Sequence, residues 1–513
     1  MLGWNKSKSD HPMADDKSAR EFLAELPAGD SFKLLEELSF WLDRTRTSDE
    51  LKPQRIFEIV DQLDAAGKND HRKLAQEYLS AGNRRPRFQE QRIWSAQVEF
   101  WGQLGAAYEF CLEKTLPGVS GAGALKPLAP TLTCRAIRAL TLELKWLLIR
   151  YGPIDPTLWG RLGALYARAE AGGYALKPCI VYPGAWGEST VQRDYLKPLM
   201  LVMSATDCLL PRQLEVAERI VAQFSEHFVL QDRLAKACHY HVDLNVARAP
   251  ARLVAQVRAA PTVRYFGAGT APDLAQKIIA TITETGAYPS DLNLGGSYEP
   301  GLVAEVLHHL ARYWAPIPPV RTDERRGSVA RIHVVHGFDD IMAIIAGEST
   351  DLSFGDSIET WTVENESEGG YGAVIAQSKG DWLRVGALLA IKREDGAAWG
   401  VGIVRRLTSG SEQQPYVGIQ TLAKGGTRVR LYPAGASPAA VSTGDDAVLL
   451  PSSKTASTGT GELNLLMRIG SFSPRQSLQM RAYEREYLLV PKELLEGGHD
   501  FDMATFRVMR RAG

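Results

Sequence analysis

The chain reads as an α+β multidomain protein. A mostly α-helical N-terminal region precedes a small antiparallel β-barrel and a further C-terminal β module. Three observations predict this. Up to Trp314, apolar residues recur at spacings of three and four, which places them on one helix face. Ala-Pro-Ile-Pro-Pro at 315–319 is a stiff break. Beyond it the helical period gives way to short β-rich segments separated by Gly, Asn, Asp and Ser. At 513 residues the chain is too long for one core, and length alone suggests roughly three domains.

The helical stripes come first. Ser31–Asp43 carries Phe32, Leu35, Leu38 and Leu42, and Arg92–Leu112 carries Trp94, Val98, Trp101, Leu104, Tyr108 and Cys111. Arg135–Tyr151 carries Ile137, Leu140, Leu144, Leu147 and Tyr151, and Leu158–Ala169 follows a Gly-Pro/Asp-Pro break at 152–156. Further helices are expected at Asp194–Ser204, Arg212–His227, Leu274–Thr285 and Pro300–Trp314, with a strand at His239–Val246. Paired antiparallel helices are compatible with an irregular α-solenoid, although no fixed repeat period is present. Residues 1–15, polar and terminal, are expected to be disordered.

Strand composition then appears at Val329–Val335, Thr360–Val363, Ala373–Ala376, Leu383–Lys392, Trp399–Leu407 and Tyr416–Thr421, enough for a small barrel. Arg428–Tyr432 is expected to close it. Asn464–Ile469, Leu478–Tyr483, Glu486–Val490 and Thr505–Val508 form the last β module, after a Ser/Thr/Gly-rich loop at 452–461.

Composition excludes several classes. Apolar residues make up 45% and charged residues 23%, with a net charge of −1, so no global field attracts a nucleic-acid polymer or anionic lipid. No apolar run approaches the ~20 residues of a membrane span, and no signal peptide is visible. The five cysteines are scattered and never spaced as CxxC, which fits reduced cytoplasmic thiols. Cys238-His239-Tyr240-His241 and His308-His309 supply too few convergent ligands for a metal. Gly-Ala-Gly at 267–269 lacks the third glycine of a dinucleotide fingerprint and a strong strand before it, and reads as a loop. No HExxH, GxSxG or Walker loop is present, and no catalytic, metal or cofactor residue is assigned.

Two short pieces carry the functional signal. The first is Arg321-Thr-Asp-Glu-Arg325-Arg326, then Gly-Ser-Val-Ala, Arg331 and the strand Ile332–Val335. The second is Asn365-Glu-Ser367-Glu-Gly-Gly370 at a turn. Arginine forks onto guanine O6/N7 or phosphate and stacks on purines. Asn and Ser offer short donors and acceptors, and glycine admits close backbone approach. An arginine cluster is more often a solvated linker, and NxSxGG a common turn whose side chains bond local backbone. It is their order and spacing that carries weight.

Together these pieces resemble the PilZ family, whose signature is RxxxR before the first strand and (D/N)xSxxG after it. Gly400-Val-Gly-Ile-Val-Arg and Tyr416-Val-Gly-Ile-Gln are similar to its closing strands. The resemblance covers residues 321–424 and implies a bacterial cyclic di-GMP receptor. It implies a ligand site of Arg325, Arg326, Arg331, Asn365, Ser367 and Gly370. In the family the second arginine directly precedes the first strand, which makes it Arg331; Gly327 then stands four residues earlier, and Arg326 five. Arg326 with Arg331, and Arg325 as auxiliary, is the reading taken; Arg321 with Arg325 is the set-back alternative. The implied organisation is a tail at 1–15, a helical region at 16–314, a linker at 315–331, the PilZ-like barrel at 332–432 and an extension at 433–513. The expected function is that of an adaptor engaging an unidentified protein partner through the helical region. Its rivals are a scaffold that does not bind nucleotide and an enzyme in the helical region regulated by the barrel.

Overall fold

A computed structural model describes residues 11–48, 51–80, 86–184, 187–253, 260–317, 325–347, 358–376, 382–409, 414–434, 444–450, 461–482, 485–498 and 500–510. The chain divides into two compact units, residues 1–319 and 320–513.

The first unit holds eleven α-helices among its described residues. At its centre runs Ala129–Ile149, buried on nearly every face. A helix apolar all round belongs inside a core, and its one buried lysine, Lys145, is met by Glu215 at 2.7 Å. Pro300–Trp314 lies where the spacing predicts it, and the other expected helices differ by a few residues at their ends. Pro53–Ser80 was not expected. Gly67 interrupts its stripe, yet a Cβ there would stand 2.8 Å from the Phe100 ring, so the gap in the pattern is a packing contact.

Two other expectations change, and a third holds. His11 and Met13, placed in the disordered tail, are buried, and the His11 ring bonds the Thr45 hydroxyl at 3.1 Å; residues 1–10 lie outside the described residues. The strand at Tyr240–Asp243 is present and belongs to a four-stranded sheet ordered Val229–Gln231, Val263–Gly267, Tyr240–Asp243, Ala251–Arg252. Gly-Ala-Gly at 267–269 therefore does follow a strand and precedes the helix Ala271–Thr285. The glycines are required by close backbone approach: a Cβ at Gly267 would lie 2.2 Å from the Ala237 carbonyl oxygen, and one at Gly269 2.1 Å from that of His227.

The second unit contains two closed six-stranded barrels. The first is ordered Leu388–Arg393, Gly400–Ser409, Pro415–Ala423, Gly370–Val374, Glu359–Ser367, Arg326–His336, and closes back on Leu388–Arg393. Inward residues such as Ile332, Val334, Trp361, Ala373 and Val417 fill it. The strand expected to close it, Thr427–Pro433, instead pairs with Asp445–Leu450 and Leu478–Ala482 in the second barrel. Local composition marks it as a strand, and composition does not say which sheet takes it. Arg326–Arg331, expected in a linker, belongs to the first strand of the first barrel. Its charged residues face outward and obscure the alternation. Residues 451–460, most of the expected Ser/Thr/Gly loop, lie outside the described residues.

A helix unforeseen in the sequence, Phe338–Ala346, follows that first strand. Its Phe338, Ile341, Met342 and Ile344 share one core with Val335, Leu388 and Ile403 of the first barrel and Val448, Leu466 and Phe501 of the second.

Candidate functional site

The strands Glu359–Ser367 and Gly370–Val374 form a hairpin with Glu368-Gly369 at the turn and Ser367 paired with Gly370. Gly370 has no space for a side chain, because a Cβ would stand 1.9 Å from the Ile419 carbonyl oxygen. This glycine lets the hairpin lie against the strand Pro415–Ala423. The register then decides which side chains meet.

On the outer face of the barrel, Arg331, Thr362, Val374 and Tyr416 form one cross-strand row, each paired with the next. In the adjacent row Asn365, Gly372, Gly418 and Arg406 pair in turn. Thr362, Val374 and the two glycines give a low floor, with polar and cationic side chains around it. Gly372 is where three of these side chains converge. Arg325 Nη1 donates to Asn365 Oδ1, and also to Tyr416 Oη at 3.2 Å. Asn365 Nδ2 donates to the same hydroxyl at 3.0 Å.

The site thus joins Arg325 and Asn365, residues of the two separate motifs. Arg326, exposed, sits opposite Glu366 in the ladder. The Glu366 carboxylate is itself held by Arg393. Arg331 lies on the same outer face, its side chain 65% exposed and 4.0 Å from Glu394. The structure therefore brings Arg325 to Asn365 and leaves Arg326 and Arg331 out of that contact. Arg321 lies outside the described residues. Beside the site, burial raises the Tyr371 phenol above its usual range.

The irregular arginine spacing has a structural cause. Between Gly327 and Ala330 the first strand advances three residues while its partner advances two, from Asn365 to Val363. This bulge absorbs one extra residue, which is the residue separating Arg326 and Arg331 beyond an RxxxR spacing. Val329 in the bulge is fully exposed.

Two site residues were not singled out as such in the sequence. Tyr416 was read only as part of a closing strand, and Gly372 not at all. The available signal was the second glycine in Gly370-Tyr-Gly372, an unfavourable residue inside a strand unless something approaches closely. Among the described residues, no group of three His, Cys, Asp or Glu is placed to hold a metal ion.

Residues 348–427 match the family described as the middle PilZ domain of the cyclic-di-GMP receptor FimW. The chain carries a PilZ domain. Residues 17–236 match the family described as the N-terminal domain of the same cyclic-di-GMP receptor. No individual curated protein matches the chain. The PilZ match contains Asn365, Ser367, Gly370, Gly372 and Tyr416 and begins after all of the motif arginines. Among the described residues no helix is long and apolar enough to cross a membrane.

Proposed function

We propose that the chain is a cytoplasmic bacterial cyclic di-GMP receptor whose ligand sits on the outer face of the PilZ barrel. One observation carries this reading: Arg325, from the arginine motif, is bonded to Asn365, from the NxSxxG hairpin, beside Tyr416. The floor of Thr362, Val374, Gly372 and Gly418 suits flat purines, and the surrounding arginines suit phosphates and guanine edges. Arg325 engages one ligand flank, Arg331 and Arg326 extend the cationic rim, and Ser367 adds a short polar contact at the hairpin end. Receptor action of this kind needs no catalytic residue.

Arg325 follows closely on the division between the units at Pro319. Ligand capture there is positioned to change how the helical unit engages a protein partner, which is the adaptor reading. Titration calorimetry of the full chain with cyclic di-GMP, and with cyclic di-AMP as control, tests it. Saturable binding of the first with weaker binding of the second is the expected result. A scaffold that binds no nucleotide is the second reading. It is favoured by the bonds that Arg325 Nη1 already makes to Asn365 and Tyr416, and absence of binding heat would select it.

A further inference from the structure

The hydrogen bonds of the triad determine one another. Arginine has no acceptor and can only donate. The Asn365 atom facing Arg325 Nη1 must then be the carbonyl oxygen, which turns the amide nitrogen toward Tyr416. Tyr416 Oη consequently accepts twice, from Arg325 at 3.2 Å and from Asn365 at 3.0 Å. Both bonds end on the phenolic oxygen, so its own proton is directed away from both donors. The position a Gly372 Cβ would take lies 2.2 Å from that oxygen, so the hydroxyl group lies over bare backbone at the barrel surface.

We infer that Tyr416 is a ligand-binding residue: its hydroxyl donates to an oxygen acceptor of a nucleotide phosphate lying beside the Arg325 guanidinium. The inference rests on the receptor reading above. A hydroxyl that already accepts from a cation is polarised as a donor. An anionic acceptor held by both the hydroxyl and the neighbouring guanidinium satisfies both charge and direction. A phosphate oxygen fits this better than a base edge, because it is charged and accepts from more than one side. In this arrangement Asn365 serves two ends: its carbonyl holds the arginine and its amide sets the hydroxyl.

Tyr416→Phe keeps the ring and removes only the hydroxyl. Titration of the full-length protein with cyclic di-GMP should show affinity about five- to tenfold weaker, as expected for one lost hydrogen bond, with the melting temperature unchanged. A residue that only positioned Asn365 and Arg325 would lose its influence once both are gone. Cycles with Asn365→Ala and with Arg325→Ala, and with the two combined, therefore separate the roles. If Tyr416→Phe still weakens binding about fivefold or more when Asn365 and Arg325 are both alanine, the hydroxyl touches ligand. If it has no further effect there, Tyr416 is a positioning residue and the inference is overturned. Wild-type affinity in Tyr416→Phe overturns this inference alone and leaves the receptor reading standing. Absence of binding by the wild-type protein overturns the receptor reading, and this inference with it.

Discussion

Two glycines of one hairpin strand, two residues apart, should fail in different ways. A Cβ at Gly372 would stand 2.2 Å from Tyr416 Oη, 2.6 Å from Asn365 Oδ1 and 2.8 Å from Arg325 Nη1. These are the ends of side chains on the outer face, so Gly372→Ala can be accommodated by pushing the triad aside by about an ångström, enough to break its hydrogen bonds. A Cβ at Gly370 would stand 1.9 Å from the Ile419 carbonyl oxygen, which is backbone in a barrel strand and cannot move alone. Gly370 also has φ +155°, where a side chain is strained. A charge-assisted hydrogen bond is worth about 1.5–3 kcal/mol, so Gly372→Ala should weaken cyclic di-GMP binding roughly ten- to a hundredfold. It should shift melting by no more than about 2 °C. Gly370→Ala should destabilise by about 2–4 kcal/mol and lower the melting temperature by about 5 °C or more. Scanning fluorimetry and titration on the same preparations read both quantities. Wild-type affinity in Gly372→Ala would refute the placement of ligand over the triad, and so would equal melting losses in the two variants.

Arg325→Ala should weaken ligand binding about ten- to a hundredfold, with Arg326→Ala well below it; a larger loss in Arg331→Ala, read by the same titration, would place the main grip on the exposed strand arginine instead. Ser367→Ala should leave melting nearly unchanged and reduce affinity by about 1 kcal/mol, the net worth of a neutral hydrogen bond; a large melting loss at unchanged affinity would make the hairpin an ordinary turn. In the helical unit, burial opposes ionisation of Glu215, but Lys145 and Arg219 outweigh it and hold the carboxyl at about 2. A depressed carboxylate stabilises above its unfolded range near pH 4.5 and loses that contribution as pH falls toward the folded value. Acid titration followed by circular dichroism should therefore show helix loss beginning below about pH 4.5. Glu215→Gln should cost about 1.5–3 kcal/mol at neutral pH, because it removes the nearer carboxylate on the buried Lys145 while Glu218 remains at 3.6 Å.

The parts legible in the sequence were those with local periodicity. The helix Pro300–Trp314 and the strand Gly400–Ser409 each announce themselves by spacing within a few residues. The helix Pro53–Ser80 escaped because Gly67 breaks its stripe, and only the facing Phe100 ring explains that glycine. Thr427–Pro433 was visible as a strand but assigned to the wrong barrel, since partner choice depends on pairing across long separations. The site shows the same division. Motif order points to Asn365 and to the arginine cluster, but it favours Arg326 with Arg331, whereas the arginine bonded to Asn365 is Arg325. Tyr416, 51 residues beyond Asn365, enters only through the register of three strands. The bulge at Gly327–Ala330 could not be read from spacing alone, because an extra residue in the sequence does not say whether the linker or the ladder absorbs it.

The helix Phe338–Ala346 gives the PilZ barrel no end of its own. Its Ile341 and Met342 lie in a core that also takes Val448, Leu466 and Phe501 from the following barrel, and Arg405 reaches across to Glu496 at 2.7 Å. Cutting the chain after Lys424 would strip that core of its second wall and expose an apolar patch where the native protein has none. The two barrels are therefore closed by one shared apolar core, and a PilZ barrel standing without the second would have to cover this helix face in another way.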